Sequence, residues 1–296
     1  MTTTTFRGAR VLLTAGTVAM VALLGAVQLA AATGPSTVGL GTAAPFAVLA
    51  GTPKVSSTGA TVVNGNLGIS PAASVTGFPP GIVHGTTHKA DAVALQAQSD
   101  LTTAYTDAAG RPVTATHGAL GGLTLAPGVY NAGGVVLHLT GTLTLDGHND
   151  PNAVWIFQAT SALVTASSSR VKLINGASSC NVFWQVTSSA TLGSGSTFVG
   201  TIMALTSITM ANGVTLHGRA LARNGLVSLV NDRITSTTCF GSTGGSGAAT
   251  TQAPTDAVAP DDVPSPTPSP WLFVVGILVA ILVVGKVLRT RASGPR

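Results

Sequence analysis

Few residues of this 296-residue chain have the type and spacing for chemistry. Between positions 33 and 240 there are six carboxylates, all Asp, and Glu occurs nowhere. Glycoside hydrolysis needs two carboxyl groups facing one substrate. Here Asp91, Asp100 and Asp107 fall in one predicted helix and read as its solvated side. Asp146 and Asp150 flank the turn in LDGHNDPN, where capping the turn is favoured over holding Ca²⁺. Asp232 stands beside Arg233 in a terminal loop, with a surface role as the default. His84 and His88 bracket HGTTH, a metal-ligand spacing only on a helix, and Gly85 argues against a helix there. Neither a G-x-S-x-G elbow nor a phosphate-cradling Gly-rich loop is present. No enzyme, metal site or cofactor is expected.

The elements that must position these residues are mostly strands. Charged residues make up 8% of the chain, against about a quarter in ordinary proteins. Helical surfaces draw on Glu and Lys, so a mostly helical fold is excluded. Apolar residues alternate with Thr and Ser in LHLTGTLTLDG, AVWIFQA, NVFWQV, SITM, VTLHG and LVSLV, the period of half-buried strands. Asn-Gly pairs at 64, 175, 212 and 224 mark turns between such runs. Many short strands in this pattern suggest a sandwich, a barrel or a solenoid, and no fixed repeat length selects among them. One segment differs. From 87 to 110, Ala90, Val93, Ala94, Ala97, Leu101 and Ala104 recur at helical steps, and Gly110 and Pro112 end the pattern. This predicts one long helix whose apolar face packs on the strands.

The formal charge of +5 is carried by the ends. Residues 33–270 hold eight Lys or Arg against nine Asp, so no basic cluster marks a nucleic-acid binder. Residues 1–32 read as a signal peptide: Arg7 and Arg10, an apolar run, then Ala30, Ala31 and Ala32 as an A-x-A cleavage site, with an uncleaved anchor as the alternative. WLFVVGILVAILVVG and its continuation, residues 271–288, read as a transmembrane helix, and the basic tail 289–296 places its end in the cytoplasm. A removable sorting tail is the alternative, and no LPxTG-like motif supports it. The Gly/Ser/Pro-rich residues 241–270 form a stalk. The domain at 33–240 is thus expected outside the cell, anchored to the plasma membrane. Its two cysteines, Cys180 and Cys239, predict a disulfide in that oxidising setting, against two independent buried thiols.

The stretches NGNLGISPAASVTGFPPG (64–81), ALQAQSDLTTAYTDAAGR (94–111), LGGLTLAPGVY (120–130), GTLTLDGHNDPNAVWIFQ (141–158), CNVFWQV (180–186) and TLGSGSTFVGTIMALTSITMANGVTLHGRALA (191–222) carry a resemblance. Over about residues 39–239 the chain resembles the DUF3494 family of ice-binding-protein-like β-solenoids. The resemblance implies a mainly β fold: an irregular right-handed parallel β-helix of triangular section, with one long α-helix alongside and a cap containing SPAASVTGFPPG. It also implies an ice crystal surface as partner.

A parallel β-helix offers a physical basis for such a partner. Its rungs stack about 4.8 Å apart, and alternate residues of one strand lie about 6.7 Å apart. Thr at such points presents a hydroxyl and a methyl on a stiff χ1. Parity selects the candidates. With Leu143 and Leu145 inward, Thr142 and Thr144 point out; with Ile208 and Met210 inward, Ser207 and Thr209 do. Val214 and Leu216 inward leave Thr215 and His217 outward, and Val227 and Leu229 inward leave Ser228. The TGAT at 58–61 resembles a Thr-Gly-x-Thr pattern of the family and adds Thr58 and Thr61. Parity does not say which of these share a face. The alternative is a surface adhesin or envelope protein binding a glycan or a protein; a glycan site would show exposed aromatics, whereas Trp155 and Trp184 fall at inward positions.

Overall fold

Alternation of apolar with hydroxyl residues makes strands too short to be stable alone, and they are stabilised by stacking into a parallel β-helix. A computed structural model describes residues 34–236. The expected signal peptide, stalk, transmembrane segment and tail, together with Cys239, lie outside the described residues. No helix among the described residues is long and apolar enough to cross a membrane. The described residues form parallel strands in two sheets, with one long α-helix, α1 (Ala92–Ala109).

The rungs do not stack in chain order. The first rung (Phe46–Ala50, Lys54–Thr58, Val62–Asn64) lies directly on the last, made by the second half of Thr215–Ala222 with Val227–Val230 and Arg233–Thr235. The second rung (Asn66–Ile69, Ser74–Thr76, Ile82–His84) lies outside the first, and Thr87–Lys89 pairs with Asn66–Ile69 beyond it, at that end of the stack. SPAASVTGFPPG therefore supplies a strand of the terminal rung. From there α1 carries the chain back along the side. Its 18 residues span about 27 Å, most of the height of the stack, and the remaining rungs build back from Ala115–Thr116 toward the first.

The section has three faces. The seven-stranded sheet makes one. The fifteen-stranded sheet makes the other two, because its long strands Thr197–Ala204 and Thr215–Ala222 turn a corner at Gly200 and Gly218. These glycines pair across adjacent rungs with φ of 104° and 156°. A Cβ at Gly218 would run into the Gly200 backbone, so only glycine lets two rungs turn together here.

The interior is apolar and its aromatics stack rung on rung. Tyr130, Phe157 and Trp184 occupy paired positions, with ring centroids 5.6 and 4.1 Å apart, and Phe198 continues the column 4.6 Å from Trp184. The indole of Trp184 donates to the Val199 carbonyl at 2.8 Å, so its one polar atom is satisfied inside the core.

One face of the fifteen-stranded sheet is covered by α1. Ala97, Leu101, Ala104 and Ala108 pack on Leu49, Leu221, Met203, Phe183, Ile156 and Val129. The small alanines bring the helix close to the sheet. Asp91 is the N-cap and accepts from the Ala94 N–H at 2.8 Å, and Gln158 donates to the carbonyls of Ala108, Ala109 and Arg111 at the other end. The helix starts five residues later than the sequence pattern predicts, because Thr87–Lys89 pairs with Leu67–Ile69 as a strand. Ala90 and Val93 are accordingly exposed, and Gln98 and Ala108 take the buried side.

Asp232 is buried, not a surface loop residue. It accepts from the Val214 and Val230 N–H groups at 2.8 and 2.7 Å, and its own N–H donates to Thr61 Oγ1. It thus links the first rung to the last two. Burial pushes its carboxyl from the ordinary 3.8 up to about 7, against the opposite pull of the two N–H donors. In that interval the native state binds a proton that the unfolded chain has released, so this contribution is complete at the acid end and is lost as pH rises. Urea midpoints should therefore fall between about pH 4 and pH 7 and level off above, and Asp232→Asn should flatten the profile. Trp184→Ala, which breaks the aromatic column, should cost about 3–5 kcal/mol in the same unfolding assay.

Candidate functional site

The seven-stranded face is built from short strands in register. Inward positions are filled by Leu137, Leu163, Ala190, Ile208, Val227 and Val55, all buried. Outward, one residue per rung aligns across the sheet: Thr76 beside Ser56, then Ser228, Thr209, Thr191, Val164 and His138. Five consecutive rungs thus present a hydroxyl in one straight row, with neighbours about 4.8 Å apart. Thr76, Thr191 and Thr209 are exposed, and Ser56 and Ser228 half-buried. Among the described residues none of the five hydroxyls hydrogen-bonds to another protein group, leaving all of them to whatever lies outside.

The expected residues divide among several places. Thr209 and Ser228 stand in this row. Thr58 lies on the same face two residues beyond Ser56, opposite Val230. Ser207 sits at the edge of that sheet, where its hydroxyl accepts from the Leu226 N–H at 3.3 Å. Thr142, Thr144 and Thr215 belong to a different face. Thr215 pairs with Thr197 and Arg233, Thr142 with Arg170 and Thr144 with Lys172. Thr61 faces inward: it is fully buried and accepts from Asp232 N at 3.2 Å. It cannot meet an external surface, because the chain turns a corner after Gly59 (φ 76°) and carries Thr61 into the core.

Sequence alternation does not single out Thr191, Ser56 and Thr76. Thr191 lies between inward Ala190 and Leu192, an alternation three residues long in ATL. Ser56 is hidden because its inward neighbour is Ser57, buried without a partner for its hydroxyl, and not an apolar residue. Inward hydroxyls stitch corners elsewhere too: Thr165 accepts from Gly193 N, and Ser169 donates to the carbonyls of Leu139 and Ala166.

Bulky cations are turned away from the row. Arg219 is buried and donates to the Ala44 carbonyl at 2.7 Å. Arg223 donates to Thr102 on α1. His217 is exposed on the Thr215 face. Lys54, at the edge beside Ser74, is the cation of the seven-stranded sheet.

The other candidate groups have structural partners. Asp146 accepts from His148 N and Asn175 Nδ2 and is held below the usual carboxylate range by those bonds, while Asp150 accepts from Asn152 N. Asp100 is lowered by the Thr42 backbone N–H and hydroxyl. His84 and His88 stand on separate strands, and His88 Nδ1 lies 2.8 Å from Asp91. Among the described residues no group of three or more His, Cys, Asp or Glu stands together to hold a metal. Cys180 is disulfide-bonded.

The family model described as Ice-binding-like matches residues 48–235. A curated relative, the "Ice-binding protein" of Nostoc sp. (strain HG1), is 48% identical over 206 residues, 68% of this chain and 74% of the relative. The crystal structure of an ice binding protein from an Antarctic biological consortium superposes with a TM-score of 0.67 at 46% identity, covering 69% of this chain and 92% of that one. The ice-binding protein of the Antarctic ascomycete Antarctomyces psychrotrophicus gives 0.66 at 38% identity, covering 69% and 100%.

The two kinds of hydroxyl should respond differently to substitution. Thr191→Val and Thr209→Val, on the outside, should change unfolding free energy by less than about 0.5 kcal/mol. Thr61→Val, which leaves the buried Asp232 N–H without its acceptor, should cost about 1–3 kcal/mol in the same urea titration.

Proposed function

The chain belongs to the Ice-binding-like family, and from that premise we propose that it binds ice through its seven-stranded face. The observation that carries this reading is the straight row of five unengaged hydroxyls, Thr76, Ser56, Ser228, Thr209 and Thr191. The spacing between rungs, about 4.8 Å, and along each strand, about 6.7 Å, gives a grid on a scale comparable to the oxygen lattice of ice. The strands of the row are fixed by parallel pairing over a packed core, on both sides for all but the end strand Ser74–Thr76, so ordering the face at a crystal surface costs little conformational entropy. Each Thr adds a methyl that favours leaving liquid water and a hydroxyl that joins the ordered layer. Mobile, tightly hydrated Lys would oppose both effects, and the one Lys of this sheet stands at its edge.

The same reading places the domain outside the cell, on the stalk 241–270 and the apolar segment 271–288. A disulfide at Cys180 supports an oxidising compartment. There the domain would hold ice near the cell or limit crystal growth around it.

Nanolitre osmometry of the purified protein is expected to give thermal hysteresis with faceted crystals. Thr209→Tyr and Thr191→Tyr, which raise a ring above the row, should remove most of it, whereas Thr215→Tyr on the neighbouring face should leave it unchanged. Round crystals growing freely at high protein concentration would refute the proposal.

A further inference from the structure

We infer that the exposed face of the fifteen-stranded sheet is a docking surface for a linear, carboxylate-bearing polysaccharide lying across the rungs. This is independent of ice binding, because it concerns a different face. One outward row runs Arg233, Thr215, Thr197, Arg170, Thr142 across adjacent strands. Arg233 and Arg170 are exposed and three strand spacings apart, about 14 Å. Lys172, also exposed, follows two residues after Arg170 and pairs with Thr144. None of the three cations makes an ion pair among the described residues.

The other arginines among the described residues have internal partners, while Lys54 and Lys89 stand singly on other strands, away from this row. Arg111 pairs with Asp107, and Arg219 and Arg223 donate to Ala44 and Thr102. Most carboxylates of the described residues are elsewhere: three on or capping α1, Asp150 in a turn, Asp232 in the core. Asp146 alone reaches this face, at its end, and it is engaged by His148 and Asn175. Ordinary protein surfaces intersperse both signs of charge; this face sets Arg170, Lys172 and Arg233 against the single, already engaged carboxylate of Asp146.

The chemistry that matches it is an extended acidic chain. Guanidinium forks bind carboxylates through paired hydrogen bonds, and the hydroxyls of Thr215 and Thr197 lie between the two arginines to meet sugar hydroxyls. The described residues expose no large aromatic side chain, so ring stacking cannot recognise a neutral sugar or unpaired bases. No basic amphipathic helix lies on the face to enter a lipid surface. Charge and hydrogen bonding remain, and they select an acidic polysaccharide.

The test is retention of the full chain on immobilised polygalacturonate, with neutral galactan as the control. Retention on the acidic polymer alone is expected, falling steeply as NaCl rises because exposed charges are screened. The triple variant R170Q/K172Q/R233Q should bind about tenfold more weakly or worse, with an unchanged circular dichroism spectrum, while Arg111→Gln should bind normally. Equal retention of the triple variant, equal retention on galactan, or tighter binding to phosphatidylglycerol vesicles or single-stranded DNA than to polygalacturonate would overturn the proposal.

Discussion

Parallel stacking at one strand spacing is the constraint on which the rest of this structure depends. A rung can sit on its neighbour only if residues at the same register are compatible, so every position is chosen together with the positions above and below it. Inside, this yields the aromatic column in which Phe157 and Trp184 lie 4.1 Å apart. At the corner it demands paired glycines, because a side chain at Gly218 would enter the Gly200 backbone and one at Gly200 would enter Val182 on the rung before. Outside, the same rule aligns hydroxyls into a row. Core, corner and surface are three consequences of one spacing.

Closure of the stack adds rigidity. The first rung is inserted between the last and the second, so pairings such as Ser56 with Ser228 join residues far apart in sequence. Thr61, Asp232 and Val214 continue that joint inside the molecule with buried hydrogen bonds. The helix then spans the rungs from outside, its alanine face against the sheet and its last carbonyls held by Gln158. A face assembled this way keeps its geometry without an ordering cost on contact.

The three faces have separate characters because charge has been sorted among them. One is covered by α1, one carries Arg170, Lys172 and Arg233, and one carries a row of free hydroxyls with Lys54 at a strand end. Arg219 and Arg223 lie in the sequence beside the last rungs but point toward Ala44 and Thr102, so they do not roughen the hydroxyl row. Much of this was legible in the sequence. Alternation assigned inward and outward sides correctly at Leu143 and Thr144, Ile208 and Thr209, Val227 and Ser228, and the helical period found α1. It failed where a polar residue took an inward position, as at Ser57 and Thr61, and where a helix-like pattern began in residues that a distant strand recruited, as at Thr87–Lys89.

The sequence by itself determined the mainly β character, the strand segments, the single helix and the sidedness of most strand residues, because each rests on a local period of two or 3.6 residues. The tertiary structure alone decided which outward residues share a face. Thr209 and Thr215 look equivalent in sequence, yet one stands in the hydroxyl row and the other beside Arg233. It also decided that Thr191, Ser56 and Thr76 complete that row, and that Asp232 lies in the core. The physical reason is that a face is defined by where the chain turns its corners and by which rung stacks next. Both are set by long-range register, which no local period contains.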